Sequence, residues 1–293
     1  MSQPLVIVVT GANRGIGQGI VQLLAKTQHP RPLLIYATSR SGTNLDIQAA
    51  QKNEIHYSKL DVNDKRSISS FLNTTLKDHA QVDVLINNAG INNNNGETPD
   101  LAAQVIDVNY RGTRDMCTNF LVEGYMSQNP ASRIVNVSST ASQLSNYSSA
   151  LQDKFKSVKS REEIDALAEK YVSDVRHGEQ AQAKAGWGSG PRSYQVSKAL
   201  INAATVVLAQ ENQEVLINCC CPGWVDTDMG HQVGNPPKTL EEGARIPVRL
   251  AIGQLGPSGD QNGELGTETE KITGKYYGND GVGDKGWGKV REW

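Results

Sequence analysis

Cysteine, aromatic residues, long apolar runs and excess charge of one sign are all scarce in this chain, and each scarcity closes off a class of protein. Four cysteines in 293 residues, three of them adjacent (Cys219, Cys220, Cys221), can neither staple a small fold nor offer spaced metal ligands. Reduced thiols and no metal site are therefore expected. With only 5% aromatic residues, no run of interleaved basic and aromatic side chains marks a nucleic-acid surface, and a formal net charge of −2 gives no electrostatic footprint for nucleic acid or an anionic membrane. No stretch approaches the ~20 consecutive apolar residues that span a bilayer. Met1-Ser2-Gln3-Pro4 leads straight into an apolar strand without a charged leader or cleavage site, so a soluble, cytoplasmic protein is expected.

What the chain does contain is an alternation of short β-branched runs with helical periodicity. Leu5–Val9, Leu33–Ala37, Ile55–Leu60, Val82–Ile86, Arg133–Val137, Val215–Cys220 and Ile272–Tyr277 read as strands, the first without polar alternation, as for a strand buried on both faces. Asp64 is the expected N-cap of the helix that follows the third strand, and Thr239 with Glu242 a capping box for a helix running to about Ile252. Strands alternating with helices at this rhythm imply an α/β fold with a doubly wound, Rossmann-type parallel sheet, whose functional groups gather at the carboxyl ends of the strands. Between Gln143 and Arg192 the rhythm breaks. Ser160 and Glu163 propose a capping box, and Ile164, Leu167, Ala168 and Tyr171 one amphipathic helix. With too few apolar residues for a core of its own, this stretch reads as a helical insert of about 143–192 in a single domain of 1–293.

Several places carry chemistry. Leu5–Val9 ends in Thr10-Gly11-Ala12-Asn13-Arg14-Gly15-Ile16-Gly17 before a helix, the strand, glycine loop, helix context in which a pyrophosphate meets a helix N-terminus. The spacing is G-x-x-x-G-x-G, so context counts as much as residues; a plain structural turn is the other reading. No acidic residue closes the second strand to bind a ribose hydroxyl, whereas Arg40 and Arg14 supply charge for a 2′-phosphate, which favours NADP unless both are ordinary surface arginines. Asn87-Asn88-Ala89-Gly90 after the fourth strand either runs beside a cofactor or forms an Asx turn. Asn109 and Gly112 lie within a helix where neither is a good helix former. Ser139 closes the fifth strand. Finally, Tyr194 and Lys198 stand one helical turn apart at the head of an apolar helix, a spacing at which the ammonium is expected to pull the phenol below its usual value of about 10 and make it a proton donor, or else merely a surface pair.

Assembled in this order, Thr10-Gly11-x-x-x-Gly15-x-Gly17, Asn87-Asn88-Ala89-Gly90, Asn109, Ser139 and Tyr194-x-x-x-Lys198 resemble the short-chain dehydrogenase/reductases over essentially the whole chain. Gly112 to Cys117, the long stretch before the tyrosine and Cys221-Pro222-Gly223-Trp224-Val225-Asp226-Thr227-Asp228-Met229 are similar to the monomeric NADPH carbonyl reductases. The resemblance implies that Ser139 bonds the substrate oxygen, Tyr194 donates the proton, Lys198 holds the nicotinamide ribose and lowers the tyrosine pKa, and Asn109 anchors a water in the proton relay. It implies NADPH/NADP contacts from Gly11, Asn13, Arg14, Gly15, Ile16 and Gly17 at the phosphates, Ser39 and Arg40 at the 2′-phosphate, Asp61 and Val62 at the adenine, Asn88, Ala89 and Gly90 near the ribose, and Val225 and Thr227 at the carboxamide. Trp224 and Met229 either line the substrate pocket with Ser139 and Tyr194 or pack core, and Cys221 reads as a buried, inert thiol.

The expected activity is reduction of a ketone or aldehyde by NADPH, acting on a small-molecule carbonyl with no nucleic-acid or membrane partner. The alternatives are an NADP-dependent alcohol dehydrogenase working oxidatively and, from another class, an NADPH-binding redox-responsive regulator. Because the 143–192 stretch would cover the helix through which most relatives dimerise, a monomer is expected.

Overall fold

The computed structural model describes residues 2–50, 52–92, 96–129, 131–253 and 272–293. The chain order is β1 (Leu5–Val9), α1 (Gly15–Lys26), β2 (Leu33–Ser39), β3 (Glu54–Lys59), α2 (Lys65–Thr75), β4 (Val84–Asn87), α3 (Pro99–Ile106), a π turn (Asp107–Arg111), α4 (Gly112–Val122), β5 (Arg133–Val137), α5 (Ser149–Ser157), α6 (Arg161–Arg176), α7 (Glu179–Lys184), α8 (Ser193–Glu211), β6 (Leu216–Cys220), α9 (Asp228–His231), α10 (Leu240–Ile252), β7 (Tyr276–Gly278) and β8 (Lys289–Arg291). They build one eight-stranded sheet in the order β3-β2-β1-β4-β5-β6-β7-β8. All neighbours are parallel except β7 and β8. The sheet order turns back between β1 and β4, which places a crevice at the carboxyl ends of these strands.

Burial follows position in the sheet. Leu5–Val9 is buried throughout, whereas the edge strand β3 alternates between exposed and half-buried residues, as its Glu-Ile-His-Tyr-Ser-Lys sequence requires. On one face Ile7, Val9, Ile35, Ile86 and Val135 pack with Ile20 and Leu24 of α1 and Leu250 of α10. On the other, Val6, Val8, Leu85 and Ile134 pack with Phe71 of α2, Phe120 of α4 and Leu208 of α8. Asp64 caps α2 through the Arg66 N–H, and Thr239 with Glu242 forms the full capping box of α10. Among the described residues no helix is long and apolar enough to cross a membrane.

Two expectations about single elements need correction. The last strand is not Ile272–Tyr277: Gly274 sits at φ +71, and Asn218 bonds the Ile272 carbonyl and the Lys275 N–H through its side chain, so pairing begins only at β7. The glycine-rich tail then folds back as β8, its turn held by Asn279, which donates to Asp284 O and accepts from Gly288 N. Ser160 caps α6, but the Glu163 carboxylate bonds the Lys159 N–H, one residue before the N-cap, so only half of that capping box forms.

The stretch 143–192 forms three helices, where the sequence suggested one. Leu151, Phe155, Ile164, Leu167, Tyr171 and Trp187 share a core with Val196, Leu200 and Ala203 of α8 and Ile106 of α3. The helix α8 is therefore apolar around most of its girth because it is covered on both sides, by the sheet and by this layer. Polar ties reinforce the layer: Asp165 of α6 accepts from Tyr110 Oη at 2.7 Å and Arg114 Nη1 at 2.6 Å. At its centre Trp187 is fully buried, donates to Asp174 Oδ2 at 2.7 Å and meets Tyr147, Phe155 and Tyr171 edge-on. Trp187→Ala should cost about 3–5 kcal/mol in urea unfolding, with Trp187→Phe losing clearly less; a loss under about 1 kcal/mol would show that this core does not hold the layer.

Candidate active site

The glycine loop closes β1 against the loop after β4. Gly11 and Gly15 adopt φ +62 and +57, and a Cβ on Gly11 would stand 2.9 Å from Ala89 Cα. Both positions thus need glycine for backbone reasons. A Cβ on Gly17 would run into the Gly11 carbonyl and the Asn88 amide, so this glycine serves close helix-to-loop packing. The Thr10 hydroxyl accepts from the Asn88 and Ala89 N–H groups, both at 3.0 Å, and Asn88 Nδ2 returns to the carbonyls of Thr10 (3.0 Å) and Gly11 (3.1 Å). Asn88 is therefore a clamp across two loops, not a local Asx turn. The helix α1 starts at Gly15 with no side-chain cap and no acid in its first turn, which leaves its orphan N–H groups and dipole facing the crevice.

Other expected cofactor residues lie around this loop. Ser39 is buried and its hydroxyl accepts from Gly42 N, holding the turn from which the exposed Arg40 emerges. Arg14 makes a 3.4 Å ion pair with Asp228, with both side chains largely in solvent, a weak contact. Asp61 accepts from the Asn63 N–H, and Val62 packs against Gly112. Asn13 is half-buried in the glycine loop, and Ile16 packs on the core above β1. Thr227 caps α9 through the Gly230 N–H, and its methyl faces Gly15, while Val225 is buried and bridges to Lys238. Trp224 lies inside this loop as a brace, its indole donating to Gly230 O at 3.0 Å and its ring resting on Gly234; Met229 is half-buried beside it.

The catalytic candidates converge where β5 ends. Lys198 is buried and its Nζ donates to Val137 O at 2.7 Å, two residues before Ser139. The ammonium stands over the Tyr194 ring, 5.6 Å from its centroid. Burial pushes the Tyr194 phenol up to about 12, opposed by the facing Ser139 hydroxyl and aided by Cys221. Burial likewise pulls Lys198 down to about 8, opposed by Cys221 and Cys220. The expected lowering of the tyrosine by Lys198 is thus not what this arrangement gives, because the ammonium is directed to the strand carbonyl and the ring instead of the phenol oxygen. At neutral pH the site holds a protonated phenol beside a serine hydroxyl, a pair fit to bond an oxygen and give it a proton.

Asn109 lies in the π turn between α3 and α4, a local break in the helical run, and Gly112 just after it lets the helix pack against Val62 and Asn63. It is fully buried, accepts from Ile91 N at 2.8 Å, and donates through Nδ2 to Ile91 O and Ser197 Oγ, both at 2.9 Å. Both amide hydrogens are engaged with protein, and the side chain ties the loop after β4 to α8. Cys221 is buried and its sulfur accepts from Gly223 N.

Two features went unread in the sequence. Lys238 is buried, its Nζ donating to Pro222 O at 2.7 Å, and fixes the base of the 222–238 loop. Asn87, Asn136 and Thr205 form a buried ladder, Asn87 Nδ2 to Asn136 Oδ1 and Asn136 Nδ2 to Thr205 Oγ1, each 2.9 Å, that joins β4, β5 and α8 beneath the site. Neither has a local signal, since a lone lysine in a loop or an asparagine in a strand normally reads as exposed.

The family model for short chain dehydrogenases matches residues 5–151. NADPH carbonyl reductase 1 of Bos taurus is 34% identical over 265 residues, covering 86% of this chain and 92% of that protein. The (+)-neomenthol dehydrogenase of Arabidopsis thaliana is 34% identical, covering 85% and 92%. Among solved structures, salutaridine reductase of Papaver somniferum superposes with TM-score 0.71 at 25% identity, covering 84% of this chain and 95% of that one. The matched stretch contains the glycine loop, the Asn88 clamp, the π turn with Asn109, and Ser139, so the chain belongs to the short-chain dehydrogenase family.

Proposed function

We propose that this protein is an NADPH-dependent carbonyl reductase in which Tyr194 protonates the substrate oxygen and Ser139 steadies the developing charge. The observation that carries the reading is the Tyr194 hydroxyl of α8 facing the Ser139 hydroxyl just past the end of β5, with Lys198 held beside them on Val137 O. The crevice fits a nicotinamide dinucleotide: the uncapped head of α1 suits a pyrophosphate, Gly11 and Gly15 keep backbone open to it, and Arg14 and Arg40 offer charge for a 2′-phosphate with no carboxylate at the end of β2. When bound, the cofactor supplies the hydride. Relatives named for NADPH and carbonyl reduction support the same assignment. Relatives named as NADPH carbonyl reductases favour reduction over alcohol oxidation, and a pure NADPH sensor would have no use for the facing Ser139 and Tyr194.

The decisive experiment follows NADPH oxidation by the purified protein with quinones, α-diketones, aromatic aldehydes and keto-esters. At least one class should turn over, and Tyr194→Phe should lose about 10²-fold or more in kcat while binding NADPH as the wild type does. A phenylalanine variant that keeps more than about a tenth of the rate overturns the assignment of the proton donor; no turnover of any carbonyl overturns the activity.

The pH dependence has a definite sign. Lys198 carries its proton below about 8 and loses it above, while Tyr194 stays protonated throughout this range. Reduction measured as kcat/KM should be level at neutral pH and fall as pH rises through about 8. A rate that rises through that interval points to phenolate chemistry and the oxidative direction.

The layer of α5, α6 and α7 covers the face of α8 that would otherwise be free for a second copy, and we infer a monomer. Light scattering should give a mass near 31.7 kDa; twice that value shows that pairing uses this or another surface.

A further inference from the structure

The helix that carries Tyr194 and Lys198 has no cap of its own. Its N-cap residue, Arg192, makes no side-chain cap bond, and its first turn holds no acidic residue. An uncapped helix head leaves N–H groups unsatisfied and frays readily. Here the cap comes from a distant segment. Glu97 Oε2 accepts from Arg192 N at 3.0 Å, Ser193 N at 3.4 Å and Ser193 Oγ at 3.3 Å, across more than 90 residues of sequence. Its other oxygen, Oε1, accepts from the Tyr171 hydroxyl of α6. Burial and the facing carboxylate push the Tyr171 phenol up, so it remains a donor.

Glu97 stands at the entrance to α3. It immediately precedes Thr98, which caps α3 through the Leu101 N–H at 3.2 Å, and Pro99 opens that helix. The same helical run delivers Asn109 to Ser197. Ser193 and Ser197 are one turn apart, so α8 is gripped at two successive points by one neighbouring run, with Tyr194 between them. Ser197 in turn bonds the Tyr194 carbonyl at 2.7 Å.

We propose that Glu97 is the positioning residue of Tyr194: as an external cap it orders the first turn of α8 and thereby sets the phenol against Ser139. A carboxylate serves better than a neutral acceptor here because it bonds several donors at once and complements the positive end of the helix dipole. The inference deepens the reading of Tyr194 as proton donor and rests on it.

The test compares Glu97→Ala, Glu97→Gln and Tyr171→Phe, assayed at a temperature where each is folded by circular dichroism. Glu97→Ala should lower kcat by about tenfold or more, since a misplacement of about 1 Å can cost about 10²-fold, with KM for the carbonyl and NADPH affinity nearly unchanged. Glu97→Gln, which retains an amide oxygen able to accept the backbone N–H groups, should recover much of the loss, and Tyr171→Phe should fall between wild type and Glu97→Gln. Amide exchange at Ser193–Ser197 should speed up in Glu97→Ala, a readout independent of any substrate. A Glu97→Ala variant that is merely less stable, with kcat within about twofold of wild type and unchanged exchange, overturns the proposal. Should the wild type reduce no carbonyl, the activity reading falls by itself, and the exchange rates alone decide whether Glu97 orders the helix head.

Discussion

A buried ammonium must be bonded or it is lost to the solvent, and in this protein that constraint is met by Lys198 donating to the carbonyl of Val137. The bond fixes α8 against the end of β5, and Ser139 comes two residues later. To bury Lys198 at all, the helix must be covered, which explains why α8 is apolar on its sheet face and on the face turned to α5, α6 and Trp187. The extra helical layer is thus not decoration on a finished sheet. It supplies the second wall without which α8 would expose Val196, Leu200 and Ala203.

Below this contact, polar groups are paired where the strands end. The Asn87–Asn136–Thr205 ladder crosses from β4 through β5 to α8, and the Thr10 hydroxyl takes two N–H groups from the loop after β4. Each bond is modest, on the order of 1 kcal/mol net, but breaking one leaves a buried partner unsatisfied, so the geometry is enforced by the penalty for departing from it. The strand ends that form the crevice are held to one another and to α8 by side-chain hydrogen bonds.

Much of this was legible in the chain. The strand of Leu5–Val9, the glycine loop, Asp64, the capping box at Thr239 and the closure of β5 on Ser139 are local signals, and the structure places them as expected. The local reading failed where long-range contacts decide. Gly274 and Asn218 stop the last parallel strand short, and Asn279 folds the tail into β8. The Tyr194 and Lys198 spacing suggested a lowered phenol pKa, yet helical spacing does not say where an ammonium points, and Val137 O, from a strand about 60 residues away, claims it. Asn109 and Gly112 were visible as misfits in a helix; that the misfit is a π turn needed the neighbouring chain.

That π turn also explains how one run of helix serves two walls of the site. An unbroken helix presents a single stripe to its neighbours, and the wider turn at Asp107–Arg111 breaks that register between α3 and α4. Before and within it, Glu97 and Asn109 face α8 at Ser193 and Ser197. From its later part onward, Tyr110 and Arg114 reach Asp165 of α6. The helix α8 and the layer that covers it are thereby referenced to the same element, which places Tyr194 relative to the loop after β4 through the bonds of Glu97 and Asn109.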